Sequence, residues 1–65
     1  MITIPCIING KHYDLPEIEN WCVDETLHDV AKFGKDKSKC LANSTFRYTE
    51  ERRAIFDKVW RILYE

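Results

Sequence analysis

Thr49-Glu50-Glu51-Arg52-Arg53-Ala54-Ile55-Phe56-Asp57-Lys58-Val59-Trp60-Arg61-Ile62-Leu63-Tyr64 is the longest unbroken helical pattern in this chain. Ile55, Phe56, Val59, Trp60, Ile62 and Leu63 recur at steps of three and four, which makes one wide apolar stripe. Thr49 can cap the start by accepting a free N–H of the first turn. Glu50 and Glu51 then set negative charge beside the positive end of the helix dipole. On the opposite side Arg53, Asp57 and Arg61 stand four apart, so Asp57 can meet an arginine on each flank. No Gly or Pro interrupts the run. A helix of this kind can wall a core, and the rest of the chain must supply what it packs against.

The chain has 65 residues, enough for one domain, residues 1–65. So short a chain buries a small fraction of its surface. Its two Trp, three Tyr and three Phe must therefore supply much of the buried area. Little room is left for a catalytic cleft.

Working outward to the N-terminus, residues 2–15 read as a β-hairpin. Ile2-Thr3-Ile4-Pro5-Cys6-Ile7-Ile8 is apolar and β-branched, and Asn9-Gly10 is a strong two-residue turn signal. Lys11-His12-Tyr13-Asp14-Leu15 returns, pairing Ile8 with Lys11 and Pro5 with Asp14. Ile4, Cys6, Ile8, Tyr13 and Leu15 then share the core face, while Thr3, Pro5, Ile7, His12 and Asp14 share the other. Pro5 lacks an N–H on the side away from the second strand, so the first strand is an edge.

Pro16 can open a helix. Ile18, Trp21 and Cys22 fall on one side, but the same side would next show Glu25 and Asp29. A new stripe runs through Leu27, Val30, Ala31 and Phe33. The pattern predicts a short helix over 16–22 and a second over 25–33, capped by Asp24 and stopped by Gly34. Cys40-Leu41-Ala42 reads as one helical turn after a cap at Asp36 or Ser38. Asn43-Ser44-Thr45 is loop chemistry, and Phe46 and Tyr48 alternating about Arg47 read as a short extended stretch. The expected architecture is α+β, a hairpin packed against two or three helices in the order ββααα. Trp21, Leu27, Val30, Ile55, Val59, Trp60 and Leu63 should meet Ile4, Cys6, Tyr13 and Leu15.

The net charge of −1 favours neither nucleic acid nor membrane as a partner. Its distribution is uneven. Residues 1–31 hold one lysine against six acids, and residues 32–53 hold seven cations against three acids. The simplest reading is internal complementarity between the two parts. Three cysteines without a CxxC pair do not make a secreted disulfide framework. Residues 1–8 are too short for a signal peptide, and no run approaches a membrane span. These features point to a reduced, cytoplasmic protein whose cysteines serve as small core residues.

No catalytic constellation stands out. Cys22 and His28 are six apart and off one helix face, and no glycine-rich phosphate loop exists. Cys6, His12, Cys22, His28 and Cys40 share no spacing that metal sites favour. The residues predict no enzyme, no metal and no cofactor.

Thr26-Leu27-His28-Asp29-Val30-Ala31-Lys32 is similar to the opening of the helix-turn-helix domain of lactose-repressor-type regulators. Leu41-Ala42-Asn43 resembles the end of that family's recognition helix, and Thr49-Glu50-Glu51-Arg52-Arg53 the start of its third. The chain departs from the family in opening with a hairpin and in carrying Lys35-Asp36-Lys37-Ser38-Lys39-Cys40 where the recognition helix lies. The resemblance implies a small DNA-binding transcriptional regulator. Lys35, Lys37, Ser38 and Lys39 would then approach the groove and Arg47 a phosphate.

Elimination favours another expectation: a non-catalytic protein that binds a larger protein as a regulator or inhibitor. Ile7 beside His12 on the outer hairpin face, with an edge strand open to strand addition, is the best surface. Arg47 and Tyr48 are further candidates, since arginine and aromatic residues anchor interfaces. Oligomeric state is open, with a homodimer among the alternatives.

Overall fold

The computed structural model describes residues 2–65. Two antiparallel strands, β1 (Thr3–Ile8) and β2 (Lys11–Pro16), are followed by three helices. These are α1 (Glu17–Phe33), α2 (Lys37–Ala42) and α3 (Glu50–Tyr64), with a single 3-10 turn at Thr45–Arg47 between the last two. The architecture is α+β in the order ββααα. Asn9 and Gly10 take φ of 53° and 80°, the left-handed pair that a type I′ turn requires. That turn sets the register read from the sequence: Ile8 opposite Lys11, Ile7 opposite His12, Cys6 opposite Tyr13, Pro5 opposite Asp14. Ile8 and Leu15 are buried, Cys6 and Tyr13 half-buried, and all of Thr3, Pro5, Ile7, His12 and Asp14 exposed. Ile4 is on the expected face but stays exposed, because it lies toward the open end of the hairpin.

Residues 17–33 form one helix, where the sequence pattern predicts two with a cap at Asp24. The buried line runs through Cys22, Val23 and Thr26, flanked by Ile18 and Val30. Glu25 and Asp29, which make the phase look broken, sit half-buried at the margin of the core, Glu25 tied to Ser44 and Thr45. Thr26, a polar residue, stands on the buried line itself. Its hydroxyl lies 3.8 Å from the Cys22 thiol, so the polar atom has a neighbour inside the core. No Gly or Pro forces a break in this stretch. The helix ends at Gly34, whose φ is 88° and whose N–H reaches the Val30 carbonyl at 2.8 Å. Continuity also rotates Trp21 and Leu27 out of the core that they were expected to fill; they are 48% and 47% exposed. At its other end Asn20 Nδ2 donates to the Leu15 carbonyl at 2.8 Å, tying the helix start to β2.

Asp36 caps α2 by accepting the Lys39 N–H at 3.0 Å. Residues 45–47 make a 3-10 turn, not the extended stretch suggested by alternating Phe46 and Tyr48. Ser44 caps it, accepting the Phe46 N–H at 3.0 Å. The turn drives Phe46 into full burial, a placement worth about 1.5–3 kcal/mol. Glu25 on α1 clasps this corner. One carboxylate oxygen accepts the Ser44 hydroxyl and the Thr45 N–H at 3.1 Å, and the other accepts the Thr45 hydroxyl at 2.7 Å.

Thr49 caps α3 by accepting the Arg52 N–H at 3.1 Å. Phe56, Val59, Trp60 and Leu63 are buried, with Ile55 and Ile62 packed at the margins. Phe56 and Trp60 stack at 5.9 Å, and Trp60 meets Tyr64 at 4.7 Å. α3 packs chiefly on α1 and the 3-10 turn. Asp57 pairs with Lys37 of α2 at 3.1 Å instead of a flanking arginine. Arg53 turns away to donate to the Arg47 carbonyl.

Candidate functional site

The thiols behave as core groups. Cys22 and Cys40 have no exposed surface. Burial pushes the Cys22 thiol up to about 12, and burial also raises Cys40. A thiol held this far from ionisation is a poor nucleophile. The Cys40 thiol donates to the Gly34 carbonyl at 3.5 Å. Cys6 is half-buried on the inner hairpin face, while His12 is exposed on the outer one. Among the described residues no group of three His, Cys, Asp or Glu side chains could hold a metal ion. No helix among them is long and apolar enough to cross a membrane.

The first surface of interest is the open side of β1. The residues flanking a two-residue turn exchange both backbone bonds, and alternate pairs repeat this. Ile8, Cys6 and Ile4 therefore turn their N–H and C=O groups to β2. Thr3, Pro5 and Ile7 turn theirs off the sheet, which has two strands among the described residues. Beside this edge lies a cleft of about 310 Å³ between β1 and α1. Cys6 and Ile7 form one wall, Val23 and Leu27 the other, with Asn20 and Asp24 as polar groups along it. Ile7 is 65% exposed at its rim. A shallower trough of about 550 Å³ runs between β2 and α3, bordered by Tyr13, Asp14, Lys58 and Arg61.

A second surface gathers around the 3-10 turn. Trp21 meets Phe46 edge to face at 5.3 Å. The Arg52 guanidinium stands 5.9 Å from the Trp21 ring and 5.6 Å from Phe46. Next to it, Arg47 covers the Tyr48 ring at 4.2 Å and donates to the Ser44 carbonyl and the Tyr48 hydroxyl. Arg53 Nη1 donates to the Arg47 carbonyl at 2.7 Å. Tyr48 is 68% exposed. Three elements converge here: α1 brings Trp21, the turn region Arg47 and Tyr48, and α3 Arg52 and Arg53.

The residues singled out in the sequence thus fall into separate groups. Ile7 and His12 face each other on the outer hairpin surface, and Arg47 and Tyr48 adjoin at the turn. Around α2, Lys37 is neutralised by Asp57, Lys35 covers the Tyr64 ring at 5.2 Å, and Ser38 and Lys39 are exposed. The segment Thr26–Lys32 occupies the second half of α1, and α2 is six residues long. Trp21, Arg52 and Arg53 escape the sequence pattern, because splitting α1 assigns Trp21 to the core. The absence of Gly and Pro from 17–33 is the signal that could reveal one helix and an outward Trp21.

Internal complementarity between the acidic and basic stretches is not realised as ion pairs. The two bridges among the described residues are Lys37–Asp57 and Lys58–Glu19. Neither joins a cation of 32–53 to an acid of 1–31. Comparison with known protein families, curated proteins and solved structures finds no match to this chain.

Proposed function

We propose that the chain is a small non-catalytic protein that binds a larger protein and acts as its regulator or inhibitor. The observation that carries this reading is Ile7, exposed at the rim of the cleft on the open edge of β1. A partner segment in extended form would add as a third strand, bonding to the outward N–H and C=O groups of Thr3 and Ile7. Pro5 would accept but not donate, which limits the register such a segment can take. Leu27 and Val23 would receive its side chains. The free thiols fit a reducing compartment such as the cytoplasm.

Ile7→Asp tests the site. Ile7 lies on the exposed hairpin face, so the melting curve should stay close to that of the parent. Capture of the partner from host lysate should be lost. Unchanged capture removes the edge as the binding surface.

A DNA-binding regulator is the second reading, supported by exposed Ser38 and Lys39 on α2 with Lys35 just before it. In that case random duplex DNA at low salt gives a binding curve that weakens steeply as salt is added. No binding under those conditions removes the second reading.

A further inference from the structure

Arg47 stands beside the exposed Tyr48 ring and Arg52 beside the half-exposed Trp21 ring, while Arg53 reaches the Arg47 carbonyl. None of the three has a carboxylate within 4 Å among the described residues. Their contacts are carbonyls, a phenol hydroxyl and ring faces. A guanidinium has five N–H donors in a planar fork that fits a carboxylate at two points. These contacts leave donors unused. Lys37 and Lys58 differ, since Asp57 and Glu19 neutralise them. Among the described residues these two lysines are the only ones of the ten Lys and Arg with a carboxylate partner. What marks this surface is that three unpaired arginines converge on it beside Trp21 and Tyr48.

We infer that Trp21, Arg47, Tyr48, Arg52 and Arg53 form a docking surface for an acidic segment of a protein partner. The inference rests on the reading of the chain as a binding protein and adds the chemistry of what it binds. Glutamate or aspartate side chains of the segment pair with the arginines. A hollow of about 310 Å³ lined by Glu17, Ile18 and Trp21 takes an apolar side chain of the same segment. Arginine and large aromatic residues together are the composition of interface anchors. Acidic protein is favoured over nucleic acid by what surrounds the surface. Glu50 and Glu51 are exposed in the first turn of α3, and Glu17 borders the Trp21 hollow. A continuous phosphate backbone would run against these carboxylates, whereas a peptide can place its charges between them.

The test is a nitrogen-15 NMR titration of the full chain with a blocked peptide of alternating glutamate and leucine. Its glutamine counterpart and a short DNA duplex serve as comparisons. The indole N–H of Trp21 and the Nε–H groups of Arg52 and Arg53 should shift, and that of buried Trp60 should not. Arg53→Gln should weaken peptide binding on the order of tenfold. Arg52→Gln should do the same, and Arg52→Lys should recover only part of it, because lysine keeps charge without the fork. Thermal melts of each variant separate lost binding from lost fold. No shift at Trp21, an equal response to the glutamine peptide, or a stronger response to DNA each overturns the inference. Partner capture that survives Arg52→Gln and Arg53→Gln but is lost in Ile7→Asp removes this surface and leaves the binding reading intact.

Discussion

Asn9 Nδ2 donates to the Leu63 carbonyl at 3.0 Å, joining the hairpin turn to the last turn of α3 across 54 residues of sequence. The bond meets two needs at once. Leu63 has one of the carbonyls that a helix C-terminus leaves without an internal partner. Asn9 is held at φ 53°, where few residues other than Gly and Asn are comfortable. Asn9→Gly keeps the turn and removes the bond, so it should cost about 1 kcal/mol. Asn9→Ala adds the backbone penalty of about 1–2 kcal/mol on top. Chemical denaturation of both variants separates the two terms. Equal losses would show that the side-chain bond, not the turn, holds this end together.

Trp60 tests the core. It is 5% exposed between Phe56 and Tyr64. Truncating a buried tryptophan typically costs about 3–5 kcal/mol. A domain of this size has about 3–5 kcal/mol in total. Trp60→Ala should therefore be largely unfolded at room temperature by circular dichroism. Arg61→Ala, one residue along and exposed, should melt close to the parent.

Asp29 provides a pH test. Its Oδ2 is buried without a hydrogen-bond partner. Burial, aided by the charge of Glu25, raises its carboxyl above the usual 3.8, against smaller opposing effects of His28 and Lys32. Because the folded pKa is the higher one, the native state holds this proton more tightly than the unfolded chain. Stability is then lost as pH rises from 3.8 through the raised native value. Asp29→Asn should raise the melting temperature at pH 7 and change it little at pH 3, where the native carboxyl is already neutral. A gain of the same size at both pH values would contradict this origin.

The thiols provide the last test. Cys6 is half-buried, while Cys22 and Cys40 are buried and held protonated. Native protein treated with a thiol reagent at pH 8 should modify at Cys6 first, and all three should react in denaturant. Reductant should leave the melting curve unchanged. Rapid native modification of Cys22, located by mass spectrometry, would mean that α1 opens easily.

What the sequence determined alone are features settled within a few residues of backbone. Asn9-Gly10 places two left-handed residues together and so defines the turn and the hairpin register. Gly34 ends α1 and Thr49 starts α3 for equally local reasons, one a positive φ and the other a side-chain cap. The buried stripe of α3 also follows from spacing, because four of its residues lie on the face that spacing predicts. Tertiary packing decided the rest. Whether residues 17–33 make one helix or two depended on packing that holds Glu25 and Asp29, which periodicity counts as a break, half-buried at the core margin and accepts Thr26 beside Cys22. The same choice moved Trp21 and Leu27 to the surface. Phe46 is buried because Glu25, some 20 residues earlier, clasps Ser44 and Thr45 and folds the turn inward. Arg47 and Tyr48 could be named as surface candidates from their residue types. That Trp21, Arg52 and Arg53 stand beside them could not, since three separate elements meet there only when α3 packs on α1 and the turn.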